Sequence, residues 1–214
     1  MSRTVYYESM KRLATEKRTL YGVVTADLGL RQVRDIYKKG GVTVDLRPLS
    51  ANIRAVYMCD DDDPSVLVNK KLPNEPRIFA MVHELKHHFC DRETITAGKI
   101  RCGDYNANEE IEIGAEVFAA EFIFPEVEFL ELTKSLGLPK TNCSQEQVVE
   151  LKRACPAKVS YSFLRKRLER FGFADKGSFD GVQFQKLEES IYGPPIYKQE
   201  WFKNARARKA SCSR

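Results

Sequence analysis

The three histidines of this 214-residue chain all stand within "FAMVHELKHHFCD", residues 79–91, as His83, His87 and His88. His83-Glu84-Leu85-Lys86-His87 reads H-E-x-x-H. On a helix, residues four apart share one face, so the imidazoles of His83 and His87 can converge on a single ion. Zinc suits nitrogen donors, and a hydrolytic zinc site keeps one tetrahedral position for water. Glu84 follows the first histidine, where its carboxylate can take the proton of a metal-activated water. Such a group hydrolyses a peptide carbonyl. His88 points about 100° away from His87 around a helix and is expected to pack or to face solvent.

Two histidines hold zinc weakly, so a third protein ligand is required. Asp91 lies one turn beyond His87, but a straight helix cannot easily aim three successive turns at one ion. A second helix crossing the first is a better donor. In "EEIEIGAEVFAAEF", Glu112 and Glu116 are four apart, opposite to or flanking an apolar stripe of Ile111, Ala115, Phe118 and Phe122. Glu112 is the expected ligand. Glu116, one turn on, is expected to hold a ligand imidazole in its tautomer. Cys90 and Cys102 flank the connection between the two segments and read as buried thiols, not ligands. To steady an oxyanion, His88, Tyr105, Tyr161 and Tyr192 are all available, and nothing in the sequence selects among them.

These residues need elements to position them. Asn74 as N-cap, with Pro76 in the first turn, predicts a helix over about residues 75–90. Ile78, Val82, Leu85 and Phe89 form its apolar stripe and leave the histidines to one side. A second helix spans about 109–124 and ends at Pro125. Upstream, residues 3–20 and 28–38 have helical patterns, the latter stopped by Gly40 and Gly41. "VTVDL" (42–46), "IRAVYM" (53–58) and "SVLV" (65–68) read as short strands. The acidic "CDDDDP" (59–64) between two of them reads as a solvated hairpin tip. The strand before the metal-binding helix is a candidate sheet edge, with Val66, Leu67 and Val68 receiving a peptide substrate as an added strand. Ser144 and Gln147 make a capping box for a helix near 145–154, and Ser160 and Gly172 bound another at 161–171.

The expected fold is α+β: a small twisted sheet of about three strands packed on helices, then a helical C-terminal part. Residues 1–174 form the expected domain. Residues 175–214 read as an irregular extension with a basic tail. Lys+Arg 35 against Asp+Glu 30 gives a net charge of +5, too small an excess to imply nucleic acid by itself. Six cysteines with no C-x-x-C pair, no signal-like N-terminus and no long apolar run point to a reducing cytoplasm and no membrane.

"VHELKHHF" followed by "EIGAEVFAAEFIFP" resembles the ImmA/IrrE family of zinc metallopeptidases. In that family H-E-x-x-H is followed by E-x-x-A-[N/D]-x-F-A-A-x-L-L-x-P. Here the second motif runs from Glu112 through Ala115, Phe118, Ala119 and Ala120 to Pro125. It departs from the pattern at Glu116, where Asn or Asp is usual, and at Phe122-Ile123, where Leu-Leu is usual. The resemblance extends over about residues 20–173 and leaves the tail uncovered. It implies one zinc ion on His83, His87 and Glu112, and an intracellular endopeptidase. It also implies a protein partner, in several relatives a helix-turn-helix repressor of mobile elements or stress responses.

Two other readings compete. The first is a DNA-binding regulator, using Arg165, Lys166, Arg167 and Arg170 on one helix and Lys203, Arg206, Arg208, Lys209 and Arg214 in the tail. The second is a partner-binding protein whose metal site does not cut.

Overall fold

Three strands and the helix that follows them set the first two candidate ligands in place. The computed structural model describes residues 2–60, 62–98 and 105–202, and its architecture is α+β. Strands β1 (Thr43–Arg47), β2 (Ala55–Asp60) and β3 (Asp63–Asn69) form one mixed sheet in the order β1-β3-β2. The acidic stretch is a hairpin tip, with Asp62 at φ 65° between antiparallel β2 and β3. Strand β1 pairs with β3 in parallel, Val44 opposite Val66 and Leu46 opposite Val68.

This order corrects the expectation for Val66, Leu67 and Val68. They lie on the central strand, whose backbone is bonded on both sides, so no peptide can add there. Val66 and Val68 are fully buried on one face, which suits the middle of a sheet. The open edge nearest the candidate site belongs to β2.

Helix α1 (Arg3–Tyr21) begins at Ser2, whose hydroxyl accepts from the Val5 amide, and stops at Gly22 with φ 69°. Helix α2 (Leu30–Lys39) follows and packs on the sheet side. Helix α3 (Asn74–Lys86) starts one residue earlier than expected. Its cap is Pro73, in an extended conformation and with its carbonyl accepting from Arg77, so Asn74 is already helical. Ile78, Val82 and Leu85 are buried as their spacing requires. At His87 the α-helix gives way to a π-turn, His87–Asp91, and resumes as α4 (Arg92–Thr96).

Helix α5 (Tyr105–Ile123) crosses α3 and lies along α1. Pro125 ends it and opens α6 (Glu126–Ser135). Ala115, Phe118 and Phe122 are fully buried, whereas Ile111 is only partly so. Helix α7 (Gln145–Ala154) carries the expected capping box, with Ser144 Oγ 3.3 Å from the Gln147 amide. Helix α8 (Tyr161–Arg170) is capped by Ser160 and followed by Gly172 at φ 76°.

The stretch after 175, expected to be irregular, contains helix α9 (Phe184–Tyr192). Its glycines and prolines fall around the helix and masked the apolar spacing within. Phe179 and Phe184 are buried, and the Phe184 ring stacks on Tyr161 at 4.9 Å between centroids. The basic tail from Lys203 lies outside the described residues. Among the described residues no helix is long and apolar enough to cross a membrane.

Of the four basic residues of α8, Lys166 and Arg170 are exposed, whereas Arg165 and Arg167 are drawn into the protein. Arg165 pairs with Asp180 at 2.6 Å, Lys166 with Glu116 at 3.4 Å, and Arg167 is buried. The Arg167 guanidinium donates to the carbonyls of Ala120 (3.0 Å) and Phe124 at the end of α5. It therefore adds a donor at the C-terminal carbonyls of α5, where the Ala120 carbonyl also accepts from the Phe124 amide at 3.1 Å. Replacing Arg167 with Met removes the side-chain donor to the Phe124 carbonyl and the countercharge 3.7 Å from the Glu121 carboxylate. A loss of about 2–4 kcal/mol is expected, read as a lower urea midpoint with an unchanged slope.

Candidate metal centre

Helix α3 presents His83 and His87 one turn apart, and α5 brings Glu112 across to meet them. The Glu112 side chain has no solvent exposure. His83 Nε2 lies 3.0 Å from Glu112 Oε2 and 3.3 Å from His87 Nε2. His87 Nε2 lies 3.8 Å from Glu112 Oε1. Donors about 2.0–2.1 Å from one tetrahedral ion are separated by roughly 3.3–3.4 Å. The His83–His87 and His83–Glu112 separations are close to that size, and the His87 contact, to the other Glu112 oxygen, is somewhat longer. Among the described residues, these are the His, Cys, Asp and Glu groups whose donor atoms converge, all within 4.8 Å of one another. The donor set therefore fits a divalent ion held by two nitrogens and one carboxylate.

Asp91 is not part of this triangle. Its Oδ2 accepts from His87 Nδ1 at 2.7 Å, an arrangement that places the imidazole proton on Nδ1 and turns the Nε2 lone pair toward the centre. The same oxygen accepts from Lys86 Nζ at 2.7 Å. Burial raises the Asp91 pKa, but the His87 hydrogen bond and the Lys86 charge outweigh it and hold the carboxyl below its usual range. The orienting task expected of Glu116 is thus performed for His87 by Asp91. Glu116 is half-buried in the cleft wall, paired with Lys166, and its charge is felt at His83.

The π-turn explains why Asp91 was legible only as a possible ligand. Residues five apart stand about 140° apart around an α-helix, so Lys86 and Asp91 would not meet. With i→i+5 bonding the turn widens, and residues four and five positions on both return over the starting residue. Asp91 can then serve His87 and Lys86 together.

Glu84 sits beside the triangle, 5% exposed, with Oε2 accepting from the Tyr57 amide of β2 at 2.9 Å. Burial raises its pKa, opposed by the charges of His83 and His87 and by that amide. Burial alone would lower the His83 pKa, but the Glu112 hydrogen bond and the Glu84 charge prevail and raise it. A cleft of about 540 Å³ opens onto these residues. Ile53, Arg54 and Ala55 form one wall, and Glu116 and Lys166 lie on its rim.

Three of the oxyanion candidates have their contacts outside this cleft. His88 is half-buried, with Nδ1 3.1 Å from the Tyr57 hydroxyl, and serves packing. Tyr161 bonds Glu188 at 2.8 Å, and Tyr192 lies beneath the Arg153 guanidinium. The Tyr105 side chain and Cys102 lie outside the described residues. Cys90, expected to be buried, is exposed, because the π-turn turns it out to solvent. Sequence reasoning missed the Lys86 ammonium, which is wholly buried, and the Tyr57 amide, which as a backbone group leaves no trace in residue type.

Residues 38–169 match the IrrE N-terminal-like domain of peptidase family M78. The chain belongs to this family. No curated protein matches it. The M78 match runs from the end of α2 into α8, so it contains the sheet, both ligand-bearing helices and the cleft. Helices α1 and α9 lie outside it.

In this M78 core, Glu112→Gln keeps the shape of the third candidate ligand and removes its charge. Zinc affinity is expected to fall by at least about 100-fold. Competition against a chromophoric chelator measures it, and an affinity within a few-fold of wild type would remove Glu112 from the ligand set.

Proposed function

We propose that the chain is a zinc-dependent endopeptidase acting on a protein partner. The observation that carries this reading is the placement of a buried general-base candidate, Glu84, directly beside a His83–His87–Glu112 donor triangle at the floor of an open cleft. When bound there, a divalent ion would supply a Lewis acid and a lowered water pKa.

The remaining chemistry falls to the chain's own groups. Tyr57 N–H fixes one oxygen of Glu84, leaving Oε1 to accept the proton of the attacking water. Glu84 then delivers that proton to the leaving amine nitrogen. Its raised pKa suits a group that must both take and give a proton near neutrality. Asp91 keeps His87 in one tautomer throughout.

The substrate would lie along β2, the edge strand facing the cleft. In an antiparallel pair alternate residues turn their backbone groups away from the partner strand. The Asn69 amide donates to Arg54, so Ala55 and Tyr57 face outward; the Tyr57 amide is engaged by Glu84, and the backbone of Ala55 is the one offered to a peptide. An extended peptide bonded there would present one carbonyl to the centre. Zinc is the ion that the nitrogen-rich, tetrahedral donor set suits best. A helix-turn-helix repressor as the cleaved partner rests on the family resemblance. A cytoplasmic location is supported by free Cys59, Cys90, Cys143 and Cys155.

The test is co-expression with helix-turn-helix regulators encoded beside the chain, with and without Glu84→Gln. Loss of the general base is expected to cut proteolysis by about 10²–10⁴-fold while zinc content stays at wild-type level. A Glu84→Gln protein that keeps the full biological effect would show a binding function in place of a cutting one.

A further inference from the structure

Lys86, the one cationic side chain within H-E-x-x-H apart from its histidines, does not face solvent. Its side chain is wholly buried, a costly place for an ammonium unless it is paired. Its Nζ donates to Asp91 Oδ2 at 2.7 Å and to the Ile111 carbonyl at 3.3 Å. On its other side stands the Tyr6 phenol of α1, whose ring centroid is 5.8 Å from Nζ. Gly114 of α5 makes this approach possible. A Cβ there would lie 2.6 Å from the Tyr6 ring and hydroxyl.

These contacts form one line from the protein's first helix to the candidate ion: Tyr6, Lys86, Asp91, His87. Lys86 and His87 donate to the same Asp91 oxygen, each at 2.7 Å. A carboxylate with one donor can swing, whereas two donors converging on one oxygen fix its direction. We infer that Tyr6 and Lys86 are positioning residues for the metal centre, holding Asp91 on His87 Nδ1 and making α1, which lies outside the family-matched segment, a working part of the site. A lysine serving only to neutralise Asp91 would need neither the shared oxygen nor a phenol from another helix.

The inference rests on the zinc reading above, and the test separates the two. Zinc affinity is measured by chelator competition for wild type, Lys86→Met, Tyr6→Phe and Asp91→Asn, and for each of the first two combined with Asp91→Asn. Loss of Asp91 is expected to weaken zinc binding by about 10–100-fold, Lys86→Met by about 10-fold and Tyr6→Phe by about 3-fold. In the Asp91→Asn background both smaller losses should shrink to less than about twofold, because the route to His87 is already cut.

Affinities within about twofold of wild type for both single variants would overturn the inference, whatever their melting temperatures. Full-sized losses surviving in the Asp91→Asn background would overturn it as well. If Lys86→Met fails to fold, Tyr6→Phe, which removes one hydroxyl, decides alone. A wild-type protein that binds no zinc would overturn this inference and the proposed function together, whereas unaffected variants of a zinc-binding protein overturn only this inference.

Discussion

A carboxylate with no solvent exposure, Glu112, stands against two imidazoles deep in the protein, and most of the structure follows from keeping it there. A charged group stripped of water is tolerable only beside compensating charge or donors. The pair of helices must therefore cross where the carboxylate of α5 meets the histidines of α3. Phe118 and Phe122, wholly buried further along α5, help to hold that crossing. Glu112 shares a helix with these apolar residues and is as deeply buried as they are.

Around this centre the supporting groups come from every direction. The edge of β2 lends a backbone amide to Glu84, so the sheet and the catalytic candidate are joined by one hydrogen bond. The π-turn supplies Asp91 to His87. Helix α8 closes the far side, with Arg167 tied to the last carbonyls of α5 and Lys166 at the cleft rim. Rigid elements hold each candidate ligand from behind, which is what a preorganised metal site requires.

Much of this was legible in the residues. The H-E-x-x-H spacing and the E-x-x-A motif located His83, His87 and Glu112, because side-chain types at helical intervals report a face directly. Helix stops at Gly40–Gly41, Gly172 and Pro125, and the Ser144 and Ser160 caps, were equally plain. What failed depended on pairing. Strand order is a long-range property, so "SVLV" looked the same whether central or at an edge, and the substrate strand was assigned to β3 when β2 holds the open edge. Helix α9 was hidden by the glycines and prolines around it. The π-turn has no sequence signature, and with it went the exposure of Cys90 and the joint partnership of Asp91 with His87 and Lys86. Glu116 was legible as a carboxylate near the site but not as the partner of Lys166, fifty residues away.

The most direct measurement is X-ray absorption at the zinc edge on protein reconstituted with one equivalent of zinc. Expected is a nitrogen and oxygen first shell at about 2.0–2.1 Å with multiple-scattering features of two imidazoles. A sulfur scatterer at about 2.3 Å, or a shell without imidazole signatures, would contradict the His83–His87–Glu112 centre.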